Sequence, residues 1–283
     1  MTSRQLTYLV RGLWGLLAVV VLGIGALLVN LFVLPGSSSL SGSTASNIRS
    51  IYRAGQRAGN QPGRFAKVGD SITATSAFLT PFDEPGYDLA NYDGLQATVD
   101  HYSGSFGRVS VAARPGWRAE QLLNPAQANP QFCQPGETPL TCEYRLTEAS
   151  VALIMLGTND LGARTTAQFS ADMQTIIDVS VEAGVVPVIS TIPQRVGYEV
   201  QTSQYNAALR GLATENLVPL WDYAAALDLL QGGGLSADGV HPSVPPIGSV
   251  GAARFTPESL QYGFTVRNLT ALQALDAVRR TLG

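Results

Sequence analysis

The amino-acid sequence predicts an α/β domain built on a parallel sheet with helices on both faces. Two observations carry this. Five short apolar, β-branched runs read as strands: FAKV at 65–68, RVSVA at 108–112, SVALIML at 150–156, VVPVIST at 185–191 and LVPL at 217–220. Helical patterns lie between them, the clearest over 165–183, where Phe169, Met173, Ile176 and Ile177 recur at helical spacing and Gly184 stands where a C-cap is expected. Further helices fit 205–215, 223–230 and 257–282. In such a chain ligands bind beyond the carboxyl ends of the strands, so the turns that leave the strands are where chemistry belongs.

Composition narrows the function classes. With 283 residues, 45% apolar and only 14% charged, most of the chain is able to bury a core and is not intrinsically disordered. A net charge of -3 and no basic run exclude a phosphate-tracking surface, so no nucleic-acid partner is expected. Two histidines are too few for a histidine-rich metal site, and Cys133 and Cys142 cannot make a four-cysteine one. No metal and no cofactor are therefore expected. Lys67 is the only lysine.

Taken in order, residues 1–11 form a short tail carrying Arg4 and Arg11. Residues 12–34, GLWGLLAVVVLGIGALLVNLFVL, are uncharged, with Asn30 the one polar side chain. As a helix they reach roughly 35 Å, enough to cross a hydrocarbon core about 30 Å thick. The run is longer than a signal-peptide core and no A-x-A site follows, which favours an uncleaved membrane anchor. Arg4 and Arg11 on one side, with no basic residue before Arg49 on the other, place the amino terminus inside and the rest extracytoplasmic. Residues 35–63 read as a Gly/Ser-rich tether ending in a short helix capped by Ser46, and 64–283 as one globular domain. Cys133 and Cys142 sit in a Pro-rich stretch, a disulfide candidate in an oxidising compartment.

Two post-strand turns, and a loop after Gly232, Gly233 and Gly234 that precedes the last helix, hold groups with chemical potential. In Gly69-Asp70-Ser71-Ile72-Thr73, Ser71 opens a helix at the sheet rim, where its hydroxyl is presented and its own N–H faces developing negative charge. In Gly157-Thr158-Asn159-Asp160, Asn159 can turn its amide to the same rim. In Asp238-Gly239-Val240-His241-Pro242, Asp238 can reach back to the ring of His241, and a serine nucleophile needs a histidine base oriented by a carboxylate. The other histidine, His101, reads as a surface or helix-end residue. No serine supplies the G-x-S-x-G nucleophile elbow.

In series, these turns resemble the SGNH (GDSL) hydrolase family. GDSIT at 69–73 is similar to its first block, Gly116 in ARPGW to the glycine of its second, GTND at 157–160 to its third and DGVHP at 238–242 to its last. The resemblance spans about 64–283 and implies a three-layer α/β/α sandwich with a five-stranded parallel sheet, and ester hydrolysis through an acyl-enzyme. It implies Ser71 as nucleophile, His241 as base and then acid, and Asp238 as orienting carboxylate. The oxyanion would be held by the N–H groups of Ser71 and Gly116 and the Asn159 amide. Ile72 replaces a frequent leucine, and Arg114 and Pro115 before Gly116 depart from the usual second block.

The substrate expected is an acylated small molecule or glycan, with O-acetyl removal from a carbohydrate foremost. Trp117, Tyr92, Phe82 and Tyr87 are expected near the mouth, where aromatic faces could stack on sugar rings. Two alternatives remain open: an O-acyltransferase using the same three residues, and a non-catalytic binding domain. A metal-dependent phosphoesterase also begins with a Gly-Asp turn but needs more histidines than two.

Overall fold

The computed structural model describes Leu40 and residues 42–283; the expected anchor at 12–34, the tail before it and most of the tether lie outside the described residues. Among the described residues no helix is long and apolar enough to cross a membrane.

Four parallel strands form one sheet in the order β1 (Gln61–Gly69), β2 (Ala149–Met155), β3 (Val186–Ser190) and β4 (Leu220–Trp221). Every residue of β2 and β3 is buried, so both faces of the central sheet are covered, which is why these strands read as unbroken apolar runs. The helices that concern the site and the core are α1 (Gly42–Ala58), α2 (Ser71–Ala74), α3 (Pro139–Thr147), α4 (Thr166–Glu182), α5 (Glu199–Glu215) and α6 (Gly263–Leu282). Helix α1 packs on α6 and on β2 and β3; α4 packs on α5, and both reach β3.

The expected fifth strand is absent among the described residues. RVSVA at 108–112 instead runs beside the free edge of β1 and makes one parallel bridge, Gly69 to Ala113, with Gly69 N donating to Ala112 O at 3.0 Å. Its donors are directed elsewhere: Val111 N to Glu143 Oε2 on α3 at 2.8 Å, and Ala112 N to Ser110 Oγ at 3.0 Å. Val109 is 89% exposed and anchors nothing. A β-branched run thus fails as a strand because side chains have taken the ladder's hydrogen bonds.

Helix α4 starts one residue after the expected boundary, with Thr165 and Gln168 closing a reciprocal capping box and Gly184 at φ +67° beyond its end. Gly184 also touches Gly55 of α1, where a side chain on either residue would collide with the other's backbone. That contact belongs to a second correction. Ser46 is not a cap but lies inside α1, which begins at Gly42 and buries Ala45, Ile48 and Ile51. Leu40 N donates to Thr281 Oγ1 at 2.9 Å and Arg49 Nε to the Thr281 carbonyl at 2.9 Å, so packing against the domain begins well before residue 64.

Cys133 and Cys142 form a disulfide, Cα atoms 5.2 Å apart, that closes the loop before α3 onto that helix. Closing a loop of this length stabilises by about 2–3 kcal/mol through the unfolded chain.

Candidate active site

Strand β1 ends at Gly69 and the chain turns at once into α2. Asp70 is the N-cap, its Oδ1 accepting from Ile72 N at 2.9 Å. A one-turn helix has almost no stability of its own. Two buried groups hold it. One is Asp70, with no exposed surface; the other is Arg267 of α6, equally buried, whose guanidinium donates to the Ile72 carbonyl and, at 2.9 Å, to Thr73 Oγ1. The guanidinium lies over the Phe78 ring, 3.6 Å from its centroid, with Trp221 at 5.5 Å. Burial lowers the Arg267 pKa to about 10 against the opposing pull of Tyr223 and Asp70. Burial raises Asp70 to about 6, opposed by the Ile72 N–H and the Arg267 charge.

Ser71, at the first position of α2, is partly exposed, and its Oγ lies 2.9 Å from His241 Nε2. On the other side of the ring, His241 Nδ1 lies 2.7 Å from Asp238 Oδ2. Asp238 Oδ1 accepts from the backbone N–H groups of Val240 and His241, each at 3.0 Å, so the loop folds around the carboxylate before the ring reaches it. Ser236 N bonds the His241 carbonyl at 2.8 Å and Ser243 N the Gly234 carbonyl at 2.8 Å, closing the loop's base. Burial acts to raise the Asp238 pKa, but the ring of His241 and the two N–H groups outweigh it and hold it at about 2. The carboxylate is thus ionised whenever the imidazole is called on to carry charge.

The remaining residues of interest border this chain of bonds. Gly116 lies in an exposed turn at φ +80°, which only glycine adopts freely, with open space where a side chain would stand. Asn159 Nδ2 donates to the Trp117 carbonyl at 3.1 Å and lies 3.4 Å from Asp70 Oδ2, tying the turn after β2 to the turn at Gly116 and to the one after β1. One of its N–H groups is firmly engaged; the other has only the long contact to give up. Asp160, fully buried, accepts from Ala119 N through both oxygens at 3.2 and 3.3 Å, and burial lifts its pKa to about 7. His101 is exposed at the end of a short helix, its ring 3.2 Å from the Pro62 carbonyl, away from these groups.

The aromatic mouth is not formed. Phe82 and Trp117 are each 4% exposed, and Phe82 packs on Tyr87 and Phe255 at 5.5 and 5.8 Å, with Tyr92 on Phe255 at 5.8 Å. Phe82, Tyr87, Tyr92 and Phe255 satisfy one another in a cluster, whereas Trp117 lies apart from them with the Arg114 guanidinium 5.9 Å from its ring. Sequence reasoning passed over Arg267. The signal was slight: Arg267 is the one cation of GFTVRNLTALQALDAV, a stretch that also carries Thr265, Asn268, Thr270, Gln273 and Asp276.

A model of the GDSL-like lipase/acylhydrolase family matches residues 68–245, more than half of the chain. The chain belongs to that family. No curated protein matches it by sequence. Among solved structures it is similar to a carbohydrate esterase family 3 protein from Talaromyces cellulolyticus, with 16% identity, a TM-score of 0.50 and coverage of 75% of this chain and 97% of the other. It is also similar to a mutant acetyl esterase with acetate ion, at 16% identity, a TM-score of 0.49 and coverage of 75% and 97%. A third is a lipase/acylhydrolase from Enterococcus faecalis, at 17% identity, a TM-score of 0.46 and coverage of 74% and 95%. This GDSL-family chain is an ester hydrolase.

Two buried carboxyls give the GDSL-family hydrolase an unusual pH response. Asp70 and Asp160 in the folded chain hold protons up to about pH 6 and 7, whereas in the unfolded chain they release them near 4. The folded state then binds more protons than the unfolded one across that window, and their contribution to stability falls as pH rises through it. The urea midpoint is expected to drop between pH 5 and 8, and Asp160→Asn, which keeps an acceptor for Ala119 N, to flatten that drop. A midpoint that rises over this range, or a slope the variant leaves intact, would count against these shifts.

Proposed function

We propose that this GDSL-family hydrolase removes short acyl groups, O-acetyl foremost, from a carbohydrate, with Ser71 as nucleophile, His241 as general base and then acid, and Asp238 as orienting carboxylate. The observation that carries it is the unbroken chain of bonds from Asp238 Oδ2 through the His241 ring to Ser71 Oγ, standing at the carboxyl end of β1. With Nδ1–H donated to Asp238, the ring presents Nε2 as an acceptor to the Ser71 hydroxyl.

Ser71 Oγ attacks the ester carbonyl as its proton passes to Nε2. The imidazolium formed is stabilised by Asp238, whose low pKa keeps it anionic. Collapse of the tetrahedral intermediate breaks the bond to the sugar oxygen, which takes the proton from Nε2. Water, deprotonated by the same nitrogen, then releases the acid and restores Ser71. The oxyanion is received by the N–H of Ser71, which has no intrahelical acceptor at the first position of α2, by the N–H of Gly116, and by the second N–H of Asn159 as it leaves Asp70.

A polar alcohol partner is supported by the surroundings of α2. Thr73, Thr75, Ser76, Thr80 and Ser110, with Ala74, Val109 and Ala113 among them, line a cavity of about 190 Å³ beside it, a wall of hydroxyls and small apolar groups without leucine, isoleucine or an aromatic ring. Residues 12–34 anchor the enzyme and hold the domain on the extracytoplasmic side, a reading that rests on their length, their lack of charge and the flanking arginines. Alkaline carbonate washing of membranes should leave the full chain in the pellet; its release to the supernatant would contradict the anchor.

With p-nitrophenyl acetate, butyrate and octanoate, hydrolysis by the full chain should be fastest on acetate. Ser71→Ala and His241→Ala should each lower kcat by at least about a thousandfold with the chain still folded. Asn159→Ala should lower kcat about a hundredfold with little change in KM. More than a small residual activity in either triad variant, or a pure KM effect at Asn159, would overturn the corresponding role.

A further inference from the structure

Helix α1 crosses the amino ends of the strands, opposite the catalytic rim. Asn47 Nδ2 donates to the carbonyls of Asn216 and Leu217, just before β4, at 3.1 and 3.2 Å. Gly55 lies against Gly184, just before β3, and Asn60 Nδ2 donates to the Ala183 and Gly184 carbonyls as the chain turns into β1. Helix α6 gives the same direction. It starts with Gly263 N donating to Ser243 Oγ, in the loop of His241, and ends with Thr281 bonded to Leu40 N and Arg49 Nε. Ser71 follows the other end of β1, whose nine residues span about 26 Å.

The outward side of α1 is cationic. Ala45, Ile48, Ile51 and Gly55 are buried, while Arg49, Arg53 and Arg57, four residues apart, form an exposed stripe on the opposite side, with Ser46 and Ser50 beside it. The helix contains no Asp or Glu. Arg53 and Arg57 pair with no carboxylate among the described residues, and Arg49 bonds the Thr281 carbonyl through Nε, which leaves its other donors to solvent. The exposed acids nearby, Asp178, Glu182 and Glu215, belong to α4 and α5 and form no ion pair with any of the three. By contrast Arg64, Arg279 and Arg280, at the same end of the domain, are paired with Glu148 and Asp276. Guanidinium groups left open in a row match phosphate oxygens, which they bind through two N–H groups at once.

Chain length sets where that face lies. Six peptide steps join residue 34, the end of the apolar run, to Leu40, so at most about 22 Å of extended chain separates the run from the packed domain. We propose that the arginine face of α1 docks on anionic phospholipid headgroups of the membrane that residues 12–34 cross. It rests on the anchor reading above and adds an orientation. The catalytic rim points away from the bilayer, so the acylated carbohydrate is met on the water side and not at the lipid surface beneath. Each arginine near an anionic surface strengthens binding roughly fivefold, so three together give roughly a hundredfold.

The test uses the full chain in vesicles of phosphatidylcholine, with and without phosphatidylglycerol. Both cysteines are held in the disulfide, so Ser50→Cys on the arginine face, or Val200→Cys, 74% exposed at the start of α5, takes a fluorescent probe alone. Energy transfer from the Ser50 probe to an acceptor-labelled lipid should rise when phosphatidylglycerol is added and exceed that from the Val200 probe. Arg53→Glu with Arg57→Glu, which removes no contact within the domain, should abolish the rise and leave p-nitrophenyl acetate hydrolysis unchanged. Equal transfer from the two positions, or transfer from Ser50 that neither anionic lipid nor the double variant alters, would overturn the docking face. Flotation separates this from the anchor. A chain that floats with phosphatidylcholine vesicles carries the anchor, and the probes then decide the face. A chain that floats only with phosphatidylglycerol, and not as the double variant, has the docking face without the anchor; one that floats with neither has lost both.

Discussion

Everything at the rim of the sheet depends on one turn of helix that cannot hold itself. Residues 71–74 have too few backbone bonds to be stable alone, and Ser71 is aimed only as well as they are held. Asp70 caps the turn from below and Arg267, from the far end of the chain, grips the Ile72 carbonyl and Thr73. Both are fully buried and of opposite charge, which lessens the cost of burying either. Gly69 follows from the same arrangement, because a side chain there would strike Thr73 and the Met155 carbonyl. The turn is therefore fixed by packing from β2 and α6 instead of by its own propensity.

Carboxylates of one residue type do opposite work around it. Asp238 stands in a half-exposed loop with three N–H groups converging on it and stays ionised to about pH 2. Asp70 and Asp160 are desolvated and remain partly protonated near neutrality. Environment separates the roles, an arrangement met where acid and base functions share a small volume. Asp160 is bound to the turn that follows Gly116 and Asp70 to the amide of Asn159, so the turns after β1 and β2 and the one at Gly116 are bonded to one another.

Much of this was legible in the residues, and the gaps have physical causes. Strands β2 and β3 were plain because full burial leaves an unbroken apolar signal at 150–155 and 186–190. The run at 108–112 carries the same signal yet is no strand, because its own Ser110 and the distant Glu143 take its donors, and the Glu143 contact spans 32 residues that no local pattern encodes. Helix α1 hides in a Gly/Ser-rich stretch whose composition suggested a tether, and only its docking on α6 and Gly184 makes it a helix. At the site, the turns singled out Ser71, Asp238 and His241, the family resemblance gave them their roles, and the structure joins them by hydrogen bonds. Arg267 escaped because its role is set by where α6 returns, and the aromatic cluster was misplaced because sequence does not tell a rim ring from a core ring.

The claim on which the rest turns is that the hydroxyl of Ser71 is the group that attacks. The most direct measurement is intact-mass and peptide mass spectrometry of the full chain after treatment with a serine-reactive fluorophosphonate, beside Ser71→Ala and His241→Ala. The result expected is a single adduct on the peptide containing Ser71, lost in Ser71→Ala and greatly slowed in His241→Ala, since an unactivated hydroxyl reacts poorly. An adduct on another serine, or equal labelling when His241 is replaced, would contradict it.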